Sequence, residues 1–343
     1  MPILDVCDIF AEYGQELGGI YLRTLTGHAD KVTVLAVLPD GRLVSGCEGG
    51  TVRVWNPETG ACVFSLVGHL DRVTALAVLT DGHLASSSWD RTVCVWDTAN
   101  GACLRALSAH THYVESLAAL PDGKLASGSR DLTVRVWDAV SGACFHTLMG
   151  HSGWVTNLAA LPESKLASSS EDRTVRVWDT MSGVCLLAMA GHSRGISNLA
   201  VITHGKLASS SDDQTVRVWD TAIGACLFTL NGHTDNVHAL AVLPGGKLAS
   251  GSWDHTVRVW DTANGACLLT LAGHTGRVNA LAVLSDGTLA SCADDYAVRV
   301  WDATSGTCVH ALAGHTSTLA FALAVLPDGK LSAATDKTVR LWA

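Results

Sequence analysis

The sequence predicts an all-β chain of eight similar units, each made of four short antiparallel strands. Three observations lead there. His28, His69, His110, His151, His192, His233, His274 and His315 recur every 41 residues, and Trp55, Trp96, Trp137, Trp178, Trp219, Trp260, Trp301 and Trp342 keep the same interval. Inside each unit the apolar residues fall in short runs separated by turn residues. Helical spacing is absent from the units.

The second unit shows the elements in order. VTALAVL, from Val73, reads as a first strand; HLASSS, from His83, as a second; TVCVW, from Thr92, as a third; and CLRAL, from Cys103, as a fourth. Asp81-Gly82 separates the first two strands and Asn100-Gly101 the last two. Asp-Gly between apolar runs predicts a two-residue type I′ hairpin, and it recurs as Asp40-Gly41, Asp122-Gly123, Asp286-Gly287 and Asp328-Gly329. The third strand alternates valine with residues that are bulky too, which suits a sheet covered on both faces. The last unit has one extra residue before Pro327 and one fewer before Asp336, so its ends stay in register.

Gly-His near one end of a 41-residue unit and Trp-Asp near the other resembles the WD-repeat family. Six units read Trp-Asp; the first reads Trp55-Asn56 and the last ends Trp342-Ala343. The resemblance covers residues 20–343 and implies a single eight-bladed β-propeller of four-stranded antiparallel blades. Tyr21 occupies the column of Cys62 and Cys103, so Tyr21 to Leu25 is expected to complete the last blade, closing the ring with an N-terminal strand and covering an open sheet edge. Residues 1–19 form a leader. Its apolar Ile3, Val6, Ile9, Phe10, Tyr13 and Leu17 fit either a short amphipathic helix or a frayed terminus.

Composition narrows the function classes. Hydrophobic residues make up 48% and charged residues 16% of 343, so much of the chain should be buried. Mean hydropathy is +0.26, yet no apolar run reaches the roughly 18 residues of a membrane-spanning helix. The first ten residues carry no Lys or Arg, unlike a secretory signal. A net charge of −9 argues against a nucleic-acid partner. Eleven cysteines include no C-x-x-C pair. Seven of them, from Cys62 to Cys308, fall one per outer strand, too far apart for disulfides or a shared metal. The expectation is a cytoplasmic or nuclear monomeric ring with no metal and no cofactor.

Ser86, Asp90 and His69 look like a catalytic triad, and the set recurs from Ser127, Asp131 and His110 through Ser332, Asp336 and His315. Only the first unit breaks it, with Gly49 in the Asp column. A hydrolase needs one convergent site, so seven copies indicate structure instead. The family resemblance implies a relay in which Asp bonds His, His bonds Ser, and Ser bonds the Trp indole. Arg53, Arg135, Arg176, Arg217, Arg258, Arg299 and Arg340 form a mid-strand column whose stems should pack between blades while the heads reach acidic neighbours or water.

The units differ most in three columns, all on the rim that carries the Gly-His loops and Asp turns. Three residues after the His stand Lys31, Arg72, Tyr113, Trp154, Asn236 and Arg277, with Gly195 in unit five. Five after it stand Glu115 and His238 among Thr, Ser and Asn. Just before the turn Asp stand Glu48, Trp89, Arg130, Glu171, Asp212, Trp253 and Asp294. The family's partner-contacting positions resemble these columns. Independently, the three tryptophans outside the repeat column, Trp89, Trp154 and Trp253, all fall in them, and Trp, Tyr and Arg dominate interface hot spots. Basic residues gather in units one to three and acidic ones in units four to seven, with Glu48 and Arg277 as exceptions. The sequence therefore predicts a non-enzymatic interaction scaffold that binds partner proteins or peptides on this rim. The alternative is a substrate-recognition module of a ubiquitin ligase or a signalling sensor, capturing phosphopeptides through Lys31, Arg72 and Arg130. The leader is too short for a ligase-recruiting domain, so that role would need a longer parent chain.

Overall fold

The computed structural model describes residues 21–203, 205–312, 322–334 and 337–343. The leader, residues 1–19, and the eighth-unit His315 and Asp336 lie outside the described residues. Thirty-two strands form eight four-stranded antiparallel sheets, and no helix occurs among the described residues. In the first blade the strands run outward in sequence order as Val32–Val37, Leu43–Cys47, Val52–Trp55 and Cys62–Leu66. Innermost strands pack against one another around the ring, and Ala322–Val325 of the last blade meets Val32–Val37 of the first.

The eighth blade is built from both ends of the chain. Its outermost strand is Tyr21–Thr26, one residue longer than expected, paired antiparallel with Thr338–Trp342 so that Leu25 faces Val339. Leu25 is buried with Trp55, Val339 and Leu341 at the joint between the last blade and the first.

The core lies between blades. Trp96 packs with Val52, Val54 and Leu66 of the preceding blade, and its counterparts repeat that contact around the ring. Burying one such side chain contributes roughly 2–3 kcal/mol, so bulk on both faces of the third strand is what stacks the blades.

Two expectations need correction. The Asp-Gly hairpins are three-residue loops, with the Leu38 N–H donating to the Arg42 carbonyl at 2.8 Å and the Gly41 N–H donating to the Leu38 carbonyl at 2.9 Å. Gly41 alone is left-handed there, with φ +85°. Asp81-Gly82 and Asp286-Gly287 form the same loop after Thr80 and Ser285, and in every copy the Asp stays out of the left-handed region, where its Cβ would be strained. The Asp carboxylate instead accepts from the N–H two residues on, as Asp40 does from Arg42 at 3.1 Å. Left-handed central pairs occur elsewhere, at Glu163-Ser164 and Gly245-Gly246. The mid-strand arginines also differ from expectation: Arg53 Nη1 donates to the Cys62 thiol at 3.3 Å and its guanidinium lies 5.8 Å from the Trp55 ring centre, rather than beside a carboxylate. Arg176 and Arg217 repeat both contacts.

Candidate functional site

A buried indole N–H needs an acceptor, and blades one to seven each supply one in a strand Ser. Trp96 Nε1 donates to Ser86 Oγ at 2.8 Å, Ser86 Oγ lies 2.7 Å from His69 Nε2, and His69 Nδ1 lies 2.9 Å from Asp90 Oδ2. Because the carboxylate only accepts, His69 must carry its proton on Nδ1 and take the Ser86 O–H on Nε2, which satisfies every group in the chain. Asp90 is partly buried, which opposes ionisation, yet bonds from His69, Thr92 and the Leu70 N–H hold its carboxyl well below the usual range. Blades three to six repeat the arrangement, and blade seven keeps it with Ala297 in the Thr column. Ser86 and its counterparts are fully buried, so these triads offer no nucleophile to a substrate.

Blade one departs from the rule. His28 keeps Ser45 at 2.7 Å and Ser45 keeps Trp55, but Gly49 stands in the Asp column and His28 Nδ1 is buried without a partner. The Asp30 carboxylate fills the space where a Gly49 side chain would begin.

The relay fixes the turns that carry the rim columns. Within a blade, the residue before the turn Asp donates its backbone N–H to the residue three after the His: Glu48 to Lys31, Trp89 to Arg72, Arg130 to Tyr113, Glu171 to Trp154, Asp212 to Gly195, Trp253 to Asn236, and Asp294 to Arg277. Side chains then bridge to the next blade. Arg72 lies 3.6 Å from Glu48, Tyr113 stacks on Trp89 with ring centres 4.9 Å apart, Arg130 covers Trp154 at 4.3 Å, and Arg277 covers Trp253 at 4.2 Å. Four such rungs thus join eight of the expected site residues along one rim. Arg130 also pairs with Glu115, and His238 leans on Trp253 at 5.9 Å. Asp294 accepts from Asn279 at 2.6 Å. Lys31 feels Glu48, Arg72 and Asp294, with partial burial lowering its pKa.

Trp154 is 45% exposed, whereas Trp89 and Trp253 are half-buried in the ladder. Burial has a cost there: Trp89 Nε1 and Trp253 Nε1 are shielded from water and meet no acceptor.

Sequence reasoning missed two sets of hydroxyls. Thr33, Thr74 and Thr156, in the column of Glu115 and His238, donate to the Val73, Val114 and Ile196 carbonyls of the next blade at 2.6 Å each. They clip neighbouring inner strands together. Thr92, Thr133, Thr174, Thr215 and Thr256 bind the relay Asp of their own blade. The second set was readable as a near-invariant column of the internal repeat, whereas the first lies in one of the variable columns.

The model of the family described as WD domain, G-beta repeat matches eight segments, residues 19–56, 60–97, 101–138, 142–179, 183–220, 224–261, 265–302 and 306–343. The chain belongs to the WD-repeat family. WD-repeat propellers serve in general as scaffolds for protein interaction. A crystal structure of the computationally designed Ika8 protein is similar, with 33% identity, a TM-score of 0.85, and coverage of 93% of this chain and 98% of that one. Comparison with curated proteins gives no match.

Proposed function

We propose that this propeller is a non-enzymatic scaffold that binds an extended peptide segment of a partner protein across the Gly-His rim. The observation that carries the reading is the concentration of all three non-repeat tryptophans, with Tyr113 and stacked arginines, on that single rim. A rigid aromatic surface loses little conformational entropy on binding. Phosphopeptide capture draws less support, because Arg72 and Arg130 already face Glu48 and Glu115. The test is selection of a random linear peptide library on the ring, followed by affinity measurement on a Trp89→Ala, Trp253→Ala double variant whose melting curve matches the wild type. Loss of binding supports the rim; equal affinity for both proteins refutes it.

A further inference from the structure

Blade one keeps the donors of the relay without its acceptor. In blades two to six the turn carboxylate accepts from the His Nδ1–H, from the backbone N–H of the next residue, and from the N–H and hydroxyl of the Thr two residues after the Asp. Asp90 shows the set, with His69 Nδ1, the Leu70 N–H and the Thr92 N–H each at 2.9 Å and the Thr92 hydroxyl at 2.6 Å. Blade one has the same groups on His28, Ala29 and Thr51, while Gly49 stands in the Asp column. Among the described residues none of these four donors has an acceptor.

The His28 tautomer follows from its neighbours. Ser45 Oγ accepts from the Trp55 indole at 2.7 Å, so the Ser45 proton goes to His28 Nε2, 2.7 Å away, and the imidazole proton sits on Nδ1. His28 is only 7% exposed, and a buried donor without an acceptor is costly. Ala29 and Thr51 reach the surface beside it, so the donors can be approached from the rim. The Arg53 guanidinium, close enough to resist a second positive charge on His28, favours an anion there.

We propose that this turn of blade one is a carboxylate-binding site, in which His28 Nδ1, the Ala29 and Thr51 N–H groups and the Thr51 hydroxyl hold the carboxylate of a small organic acid or of an Asp or Glu in the partner segment. The ligand completes the relay from outside and steadies the turn in which the Glu48 N–H donates to the Lys31 carbonyl at 2.8 Å. Asp30 opposes it. Its exposed carboxylate lies against Gly49 but accepts from none of the four donors, and it must turn outward to admit a ligand. The site stands independently of the peptide reading of the rim.

The probe is sodium formate, with sodium chloride at equal ionic strength as the reference. Formate should shift the His28 imidazole NMR resonances along a saturating curve and raise the melting temperature above the chloride value. Asp30→Ser, which removes a like charge from the mouth, should tighten formate binding a few-fold. A Gly49→Asp, Asp30→Ser variant carries its own carboxylate and should lose the response. Library-selected peptides that contain Asp or Glu and are displaced by formate would place the carboxylate on the partner; peptides that formate leaves bound would assign the site to a free small acid. No saturating shift in either the wild type or Asp30→Ser, or an equal shift in the Gly49→Asp, Asp30→Ser variant, overturns the inference and leaves the peptide reading standing.

Discussion

His28 should make this ring sensitive to mild acid, through one side chain of blade one. Burial first, and then the charge of Arg53, lower its pKa from 6.5 to about 4. Gly49 leaves its Nδ1 without the carboxylate that serves the other described histidines of the column. Between those two pH values the unfolded chain binds a proton that the folded ring refuses, so stability rises with pH. The contribution is fully present above about pH 6.5 and is lost as pH falls toward 4. A difference near 2.5 units at about 1.4 kcal/mol per unit gives a ceiling of about 3.5 kcal/mol. The assay is thermal unfolding of wild type and His28→Gln across that window, read as the difference between the two curves, in which carboxylates common to both proteins cancel. The wild type should lose more stability than the variant on acidification. Gly49→Asp combined with Asp30→Ser, which clears the collision with Asp30, should flatten the wild-type curve by supplying the missing carboxylate. Parallel curves for wild type and His28→Gln would refute the reasoning.

Three other perturbations follow from the same structure. Ser209→Ala removes the atom shared by Trp219 and His192; leaving both buried groups unsatisfied should cost about 2–4 kcal/mol, measurable by denaturant unfolding. Deleting residues 1–26 removes the outermost strand of the eighth blade together with buried Leu25, and should lower the melting temperature and promote association through the uncovered edge, detectable by light scattering. Glu163→Asn with Ser164→Gly places left-handed-tolerant residues where φ is +59° and +54°, and should raise stability by about 1 kcal/mol in the same unfolding assay.

The blades, their number and the closing strand were legible because a strict 41-residue period aligns chemically alike residues, and Tyr21 could be placed by column alone. The Asp-Gly turns were misread because that dipeptide serves two hairpin types, and here the Asp stays out of the left-handed region with its carboxylate accepting from the N–H two residues on. The arginine heads were misread because their partners, Trp55 and Cys62 in blade one, are uncharged and come from neighbouring positions of the blade rather than from an acidic column. The rim columns could be found as departures from the repeat. Their mutual contacts could not, since each rung joins residues 24 apart in different blades, such as Glu48 with Arg72 or Trp253 with Arg277.

Hydroxyl-radical footprinting of the ring, alone and saturated with a library-selected peptide, tests the interaction face without altering any residue. Protection should appear at Trp154, Tyr113 and Trp253, while Val140 and Met181, exposed in the turns after Trp-Asp on the opposite rim, should react as before. Protection confined to Val140 and Met181, with Trp154 unchanged, would contradict the account.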